Sequence, residues 1–310
     1  MSNAQPDGRQ QQRALFASFG LVLLWGANFS VQKSVFATLE PGPFLFARYL
    51  ILASAAYWLL RQRGLLRLPS PGDYWALGRL GLKGHLLHVG FVTWGIYWST
   101  PFSSALILAC GPVFTLLILR ATGVERPRRS QTIGVVLALI GVLVFLSDKL
   151  MLGRWSASLG DLALVGAAAL FSWYTVSSKP LVERLGSAAT MGWSTLLGSL
   201  PVLVVAAPAG FAYDWTLPSP LVWAGLLWSV LVASFGGWLV WAWINAVRGV
   251  AKTAPLMYLM PPVAGAVSWA LGGEFFTITQ IVGALIALAG VGLAQFGRQL
   301  VQRFRASTPL

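Results

Sequence analysis

The stretch QTIGVVLALIGV at residues 131–142 returns as QIVGALIALAGV at residues 280–291, with Gln, Gly, Ala-Leu and Gly-Val at matching places. Within the first copy, Gly134, Ala138 and Gly141 follow one another at intervals of four and three residues, which puts them on one face of a helix. A face of small residues lets two helices approach closely in lipid. The sequence therefore predicts two related helices, 149 residues apart, that pack through this face.

The same offset of 149 residues relates other parts of the chain, and a slightly smaller offset of 146 residues relates Lys33 to Lys179. A repeat this consistent indicates two homologous units. The pairs at an offset of 149 are Ser104-Ala105 with Thr253-Ala254, Pro112 with Pro261, Glu125 with Glu274, and Trp94 with Trp243.

The composition is that of an integral membrane protein. Of the 310 residues, 56% are hydrophobic and 10% are charged, and the mean hydropathy is +0.71, whereas a soluble domain carries about 25% charged residues. The net charge of +13 lies in short connectors, so its expected partner is the anionic leaflet of a bilayer and not nucleic acid. The one cysteine, Cys110, excludes an intrachain disulfide and a metal site made of several thiolates.

Ten apolar stretches are long enough to cross a bilayer as helices, because a backbone in lipid must pair its own amides and carbonyls. The fold class is therefore all-α and integral to the membrane, with five-helix units over 14–148 and 149–297 and polar tails at 1–13 and 298–310. Since five is odd, the second unit enters the membrane from the opposite side, and the repeats are inverted. The predicted spans are 14–36, 44–60, 74–99, 103–119, 131–146, 159–178, 190–208, 221–247, 253–271 and 280–296.

The basic residues predict the orientation, because cytoplasmic loops retain Lys and Arg. With the N-terminus inside, 18 of the 22 basic residues fall in cytoplasmic segments, which leaves Lys33, Arg48, Lys149 and Arg154 for the outer side. Both termini are expected in the cytoplasm. The first apolar run is longer than the roughly 7–15 residues of a signal-peptide core and is interpreted as the first span. The expected location is the bacterial cytoplasmic (inner) membrane, as a multi-pass protein.

Four motifs of the first half carry a family resemblance: Leu24-Trp25-Gly26-Ala27-Asn28-Phe29, Ser104-Ala105 with Pro112, Gly123-Val124-Glu125-Arg126, and residues 131–142. These motifs resemble the EamA-type members of the drug/metabolite transporter superfamily. The resemblance covers roughly residues 14–297 and occurs twice. It implies ten spans, a central cavity between the halves, and export of small metabolites such as amino acids, nucleosides or drugs. The second half departs from the pattern at Pro261-Pro262, where one proline is usual, and lacks a counterpart of Arg48.

Two symmetric prolines mark a candidate substrate site. Sites in inverted-repeat transporters lie near the membrane midplane, where helices are interrupted. Pro112 lies midway along the fourth span and Pro261 at the equivalent place in the ninth, and a proline there removes one backbone hydrogen bond. Each proline alone fits a simple kink equally well, but their symmetric placement favours a binding role.

Polar and aromatic residues within the spans complete the candidate site. A polar group in the membrane needs a partner or a wet cavity, and aromatic rings suit a flat or amphipathic substrate. Helical spacing puts His88, Phe91, Gly95 and Trp98 on one stripe that is expected to line the cavity. The resemblance adds the tryptophans of the first, third, sixth and eighth spans. The predicted substrate-binding residues are Trp25, Asn28, Gln32, His88, Trp94, Trp98, Ser104, Pro112, Trp173, Tyr174, Trp243, Thr253, Tyr258 and Pro261.

Plainer interpretations of these residues stay open. Ser104 and Thr253 can bond the carbonyl of the preceding turn, and each aromatic residue can serve packing alone. Arg48 either snorkels outward or holds a carbonyl, or it meets a substrate carboxylate.

The acids and histidines bear on energy coupling. The nine acids lie outside the predicted spans or at their ends, so a facilitated, gradient-driven exporter is the first hypothesis. Proton exchange through His88, which titrates near neutral pH, is the second. An intramembrane enzyme would need an acid pair or a histidine cluster, and an ATP-driven pump would need a Gly-x-x-x-x-Gly-Lys loop, which is not present in the sequence.

The predicted function is secondary export of small metabolites by alternating access, with amino acids, aromatic or amphipathic ones included, as the expected class. The alternative is a lipid-translocating or non-transporting membrane protein of the same fold. No cofactor and no metal are expected. The expected partners are a small-molecule substrate and the bilayer, and a monomer is expected ahead of a homodimer.

Overall fold

Helices make up nearly all of the computed structural model, which describes residues 7–67, 70–99, 104, 107–151, 159–272 and 277–306. Within those residues there is no β-strand, which confirms the all-α prediction. Glu274 and the ends of both predicted tails lie outside the described residues. Numbered along the chain, the helices are α1 (Gly8–Val35), α2 (Pro41–Gln62), α3 (Pro71–Gly81, Leu82–His88 and Val89–Trp98), α4 (Gly111–Thr122), α5 (Arg129–Met151), α6 (Leu159–Leu185), α7 (Ser187–Ala212), α8 (Pro220–Arg248), α9 (Val250–Thr253, Ala254–Leu259 and Met260–Gly272) and α10 (Ile278–Ala306).

Five of these helices, α1, α2, α6, α7 and α8, are long and apolar enough to cross a membrane. Each of the other predicted spans also overlaps helical residues in the described part of the chain. Several crossings in one chain make the protein an integral, multi-pass membrane protein. The number of ten stays a prediction.

The helix starts repeat as well. α3 begins with Ser70-Pro71 and α8 with Ser219-Pro220, again 149 residues apart. Each serine Oγ accepts a hydrogen bond of 3.4 Å from the backbone amide three residues on, and each proline occupies the first helical turn, where its missing N–H costs no bond. The repeat therefore extends to the serine and proline residues that cap these two helices.

Packing between helices follows the same symmetry. Helix α5 packs along its counterpart α10, and α2 along its counterpart α7. Helix α1 packs on α8 and α9, and its counterpart α6 packs on α3 and α4. Exchanging the two halves leaves this set of contacts unchanged, as expected for homologous units.

The small-residue faces bring α5 and α10 into backbone contact. A Cβ added to Gly141 would lie 2.2 Å from the Ala287 amide nitrogen, and one added to Gly290 would lie 2.4 Å from the Ala138 amide nitrogen. Such distances are possible only because both sides lack bulk. The predicted packing role of Gly134, Ala138, Gly141 and their copies is confirmed.

Four helices are interrupted in the middle of the bundle. Helix α3 carries a π-helical stretch at Leu82–His88 and α8 one at Trp228–Gly236; an offset of 149 would place the first on residues 231–237. Helix α4 is the longer part of an apolar helix over Ile107–Thr122 that is broken by a tight turn at Cys110, and α9 contains a 3₁₀ stretch at Ala254–Leu259. Irregular turns of this kind inside helices accompany functional sites. They occur here in matching pairs.

Candidate substrate site

A cavity of about 110 Å³ lies where α1, α2, α3, α4, α6, α8 and α9 meet. Sites for drug-sized molecules measure roughly 300–1,000 Å³, and this cavity is several times smaller. The interrupted helices contribute His88 from one π-helical stretch, Ser229 and Ser234 from the other, and Gly111 beside the break before α4. The irregular segments therefore form part of the wall.

The π-helical stretch of α8 holds α1 in place. Ser229 donates its hydroxyl hydrogen to Asn28 Oδ1 at 2.9 Å. The indole Nε1 of Trp25 donates to the backbone carbonyl of Ala233 at 2.8 Å. Because a π-helical turn offsets the backbone hydrogen bonds, its carbonyls become available to neighbouring helices. Both side chains of α1 are thus fixed at the cavity wall.

Arg48 lies inside this wall. Its side chain is on α2 and only 6% of the residue is exposed, and Nη2 donates to Ser234 Oγ at 2.5 Å. The interpretation that Arg48 snorkels outward is therefore wrong, because the α8 π-helical stretch supplies an acceptor within the bundle.

His88 forms an aromatic wall together with Phe171 and Trp238. Its Nδ1 lies 2.9 Å from the carbonyl of Ala167, and since a carbonyl only accepts, Nδ1 carries the hydrogen. Nε2 is then the acceptor nitrogen of the neutral ring. The imidazole centroid lies 5.0 Å from Phe171 and 5.9 Å from Trp238. These rings offer apolar surface beside the polar groups.

The structure brings together part of the predicted site. Trp25, Asn28, Gln32 and His88 all line the cavity. Their contact with a substrate stays a prediction.

Three predicted tryptophans lie away from the cavity. Trp94, Trp98 and Trp173 are 37%, 51% and 45% exposed, and the ring of Trp173 faces the Lys83 ammonium at 4.0 Å. Of the stripe that was expected to line the cavity, His88 does so, whereas Phe91 and Trp98 are 44% and 51% exposed. Gly95 packs against α6 instead, where a Cβ would lie 2.7 Å from Leu164. The expectation is therefore wrong for the part of the stripe beyond His88.

The remaining predicted residues pack behind the wall. Thr253 donates to the Gly249 carbonyl at 2.8 Å, which agrees with the plainer interpretation, and Tyr174 donates to the Met191 sulfur at 3.0 Å. Tyr258 is fully buried, and its hydroxyl has no hydrogen-bond partner among the described residues. Substrate contact by these residues stays a prediction. The others are Ser104, Pro112 and Pro261, which are buried, and Trp243, which is half-buried.

Several wall residues were missed from the sequence. Arg48 was considered only as an alternative, and Met257 and Met260, close to Tyr258 in the sequence, were not proposed. A signal for Ser229 and Ser234 was present, because two serines five residues apart occur in a largely apolar span. The wall residues outside the predicted set are Phe29, Arg48, Val89, Val92, Ile96, Leu108, Gly111, Ala168, Phe171, Ser229, Ala233, Ser234, Trp238, Met257 and Met260.

Polar links join several helices around a crevice of about 800 Å³. Glu125 accepts hydrogen bonds of 2.9 Å from the amides of Val250 and Ala251 at the start of α9 and forms an ion pair with Lys179. Arg248 donates to the carbonyl of Gln11 at 3.0 Å. Glu125 therefore has a structural role, since it satisfies amides that a helix start leaves unpaired.

Fold and site together define a class, a multi-pass membrane transporter with a small internal cavity between repeated units. The sequence profile of the EamA-like transporter family matches residues 12–147 and again residues 158–295. The chain belongs to this family, within the drug/metabolite transporter superfamily, and is a transporter, not an enzyme.

Relatives with assigned names carry transporter titles. The chain is 27% identical over 288 residues to a protein of Escherichia coli K12 titled "Probable amino-acid metabolite efflux pump", covering 89% of this chain and 93% of that one. It is 29% identical over 251 residues to a "Probable terminal-alkyne amino-acid exporter" of Streptantibioticus cattleyicolor, covering 79% and 80%. A solved crystal structure shares the fold, with a TM-score of 0.73 at 18% identity and coverage of 93% and 99%.

Proposed function

We propose that the protein exports small metabolites, amino acids among them, through the central cavity by alternating access. The observation that carries this proposal is the cavity itself, whose polar and aromatic wall includes interrupted helices from both repeats. The names of the relatives from Escherichia coli and Streptantibioticus cattleyicolor support amino acids as the class.

Ten spans with both termini in the cytoplasm fit this function. The crevice is lined by residues from the start of α1, the α4–α5 and α8–α9 connectors, the last third of α6 and the second half of α10. The N-terminal tail and the connectors among them were predicted to be cytoplasmic from their Lys and Arg content. In that orientation the crevice lies on the cytoplasmic side, and the bacterial inner membrane is the proposed location. Two inverted units provide the symmetry by which one end closes as the other opens.

Flux measurements in proteoliposomes test the export proposal. Purified protein is reconstituted and loaded with a panel of amino acids, nucleosides and aromatic cations, and efflux into buffer is followed with the same lipid lacking protein as control. We expect protein-dependent efflux of amino acids that saturates with internal concentration. Efflux no faster than from empty liposomes across the panel contradicts the proposal.

Coupling is proposed to follow the substrate gradient alone. Among the described residues that line the cavity there is no carboxylate to carry a proton. Proton exchange through His88 is the second candidate, favoured by the position of this imidazole in the wall. Efflux measured with and without an imposed pH gradient separates the two. If the imposed pH gradient accelerates efflux and His88→Ala abolishes this acceleration, transport driven by the substrate gradient alone is contradicted.

A further inference from the structure

The cavity wall carries one positive charge and no negative charge among the described residues. Arg48 is its cation, and the other polar residues of the wall are Asn28, Gln32, His88 and two serines. The ion pairs among the described residues are formed by Lys179 and Arg184. Their acid partners do not line the cavity. Within this part of the protein the guanidinium of Arg48 has no carboxylate partner.

Two buried donors of the wall are unused. Nη2 of Arg48 reaches Ser234, but Nε has no hydrogen-bond partner. Gln32 is 4% exposed, and its amide Nε2 also has no partner. Leaving a buried donor unsatisfied costs about 1–3 kcal/mol, and more when the group is charged. Both donors line the same cavity, so one ligand with several acceptor oxygens can satisfy them together.

A carboxylate fits these donors best. The planar guanidinium presents its N–H groups in a fixed fork that matches the two oxygens of a carboxylate. Burial strengthens this attraction because the surroundings screen it weakly. The aromatic wall of His88, Phe171 and Trp238 meanwhile offers apolar surface for a side chain.

The ammonium group of an amino acid finds no counter-charge in the described wall. An ammonium taken out of water needs a counter-charge or several acceptors; the wall holds no acid, and its side-chain acceptors, His88 Nε2 among them, are neutral. Recognition therefore rests on the carboxylate and the apolar side chain.

We propose that Arg48 is the carboxylate receptor of the cavity, and that the protein takes hydrophobic monocarboxylates whether or not they carry an amino group. This inference rests on the export function proposed above and names its substrate class. Amides and amines of the same shape are excluded, because they leave Arg48 without a counter-charge.

Binding to the wild-type protein in detergent tests the proposal without any mutation. The ligands form two matched sets, leucine, 4-methylpentanoate, leucinamide and 3-methylbutylamine, and phenylalanine with its corresponding acid, amide and amine. Binding is followed by quenching of tryptophan fluorescence, because Trp25 and Trp238 line the cavity. In at least one set we expect the acid to bind no more weakly than the amino acid, and the amide and amine at least tenfold more weakly. Equal binding of amide and amino acid in both sets, or no binding by the free acids, overturns the proposal.

Variants then assign the effect to Arg48. Arg48→Gln should lose at least tenfold in carboxylate affinity, Arg48→Lys should retain part of it, and Gln32→Leu should lose a smaller part. The matched control is Arg61→Gln, which removes an exposed arginine from the same helix and should leave affinity unchanged. Unchanged carboxylate affinity in a folded Arg48→Gln protein overturns the assignment. If Arg48→Gln does not fold, the ligand series on the wild-type protein decides.

The same ligands separate this inference from the export proposal. Selective carboxylate binding without any efflux from proteoliposomes supports the receptor and contradicts export. Efflux of amides and amines as fast as of the acids supports export and contradicts the receptor.

Discussion

Glu125 joins three segments of the chain, the α4–α5 connector, α9 and α6, through one side chain. Its oxygens accept from two amides at the start of α9 and pair with Lys179 of α6, and the side chain is only 15% exposed. Such a group stabilises both a helix start and the contact between two repeats.

Replacing Glu125 should weaken the fold more than replacing its neighbour. Glu125→Ala leaves two α9 amides without partners and leaves Lys179 with the exposed Glu183 alone, which costs about 1–3 kcal/mol. The matched control is Glu183→Ala, which removes the second acid beside Lys179, at 3.5 Å and 53% exposed; an exposed pair contributes about 0–1 kcal/mol. Thermal unfolding in detergent should therefore show a lower Tm for Glu125→Ala than for Glu183→Ala. The reverse order contradicts the capping role.

Tyr258→Phe should stabilise the protein. The Tyr258 hydroxyl is fully buried without a hydrogen-bond partner in the described structure, and removing an unsatisfied polar group avoids a penalty of about 1–3 kcal/mol. The control is Tyr49→Phe, which removes a hydroxyl that donates to the His85 carbonyl at 2.7 Å and should destabilise. The same unfolding measurement checks both, and a fall in Tm for Tyr258→Phe shows that its hydroxyl is bonded.

Sequence reasoning located the side chains of α1 and His88 at the site, because polar residues are rare enough in an apolar span to be noticed. It missed Arg48 as a wall residue, because its position near the outer end of a span allows snorkelling as readily as burial. Only the acceptor on Ser234, 186 residues away, decides between the two. Contacts between residues this far apart in the chain are not readable from local spacing.

At the scale of helices, α5 and α10 pack backbone against backbone. Gly141→Ala should destabilise by about 1–3 kcal/mol, because the new Cβ would lie 2.2 Å from the Ala287 nitrogen and force the backbones apart. Gly292→Ala on α10 is the matched control. It has no atom within 4 Å of its Cβ position, so it should gain up to about 1 kcal/mol of helix propensity. Equal Tm values for the two variants contradict close packing of these helices.

The helices themselves were predictable, and their interruptions were predictable only in part. Pro112 and Pro261 indicated the breaks in α4 and α9, because proline lacks the backbone N–H that donates the helical hydrogen bond. The π-helical stretches of α3 and α8 contain no proline, and they leave no local sequence mark. The one trace of an inserted turn was the unusual length of the two predicted spans that contain these stretches, 74–99 and 221–247.

At the scale of the molecule, topology is open to direct test. With Cys110 replaced by alanine, single cysteines at position 2 and at position 308 report the sidedness of each end. In intact cells a membrane-impermeant maleimide should label neither, because both ends are predicted to be cytoplasmic, and permeabilised cells should show both labelled. Labelling of one end alone in intact cells means an odd number of spans, and labelling of both means the opposite orientation.

The central claim is that one cavity is reached alternately from the two sides of the membrane. Asn28→Cys in the Cys110→Ala background places a thiol in the cavity wall, and a membrane-impermeant methanethiosulfonate reagent is applied to right-side-out and inside-out vesicles in turn. The account predicts modification from both sides, with each rate lowered by a saturating carboxylate substrate. Modification from one side only, with the other side unreactive whatever substrate is present, contradicts it.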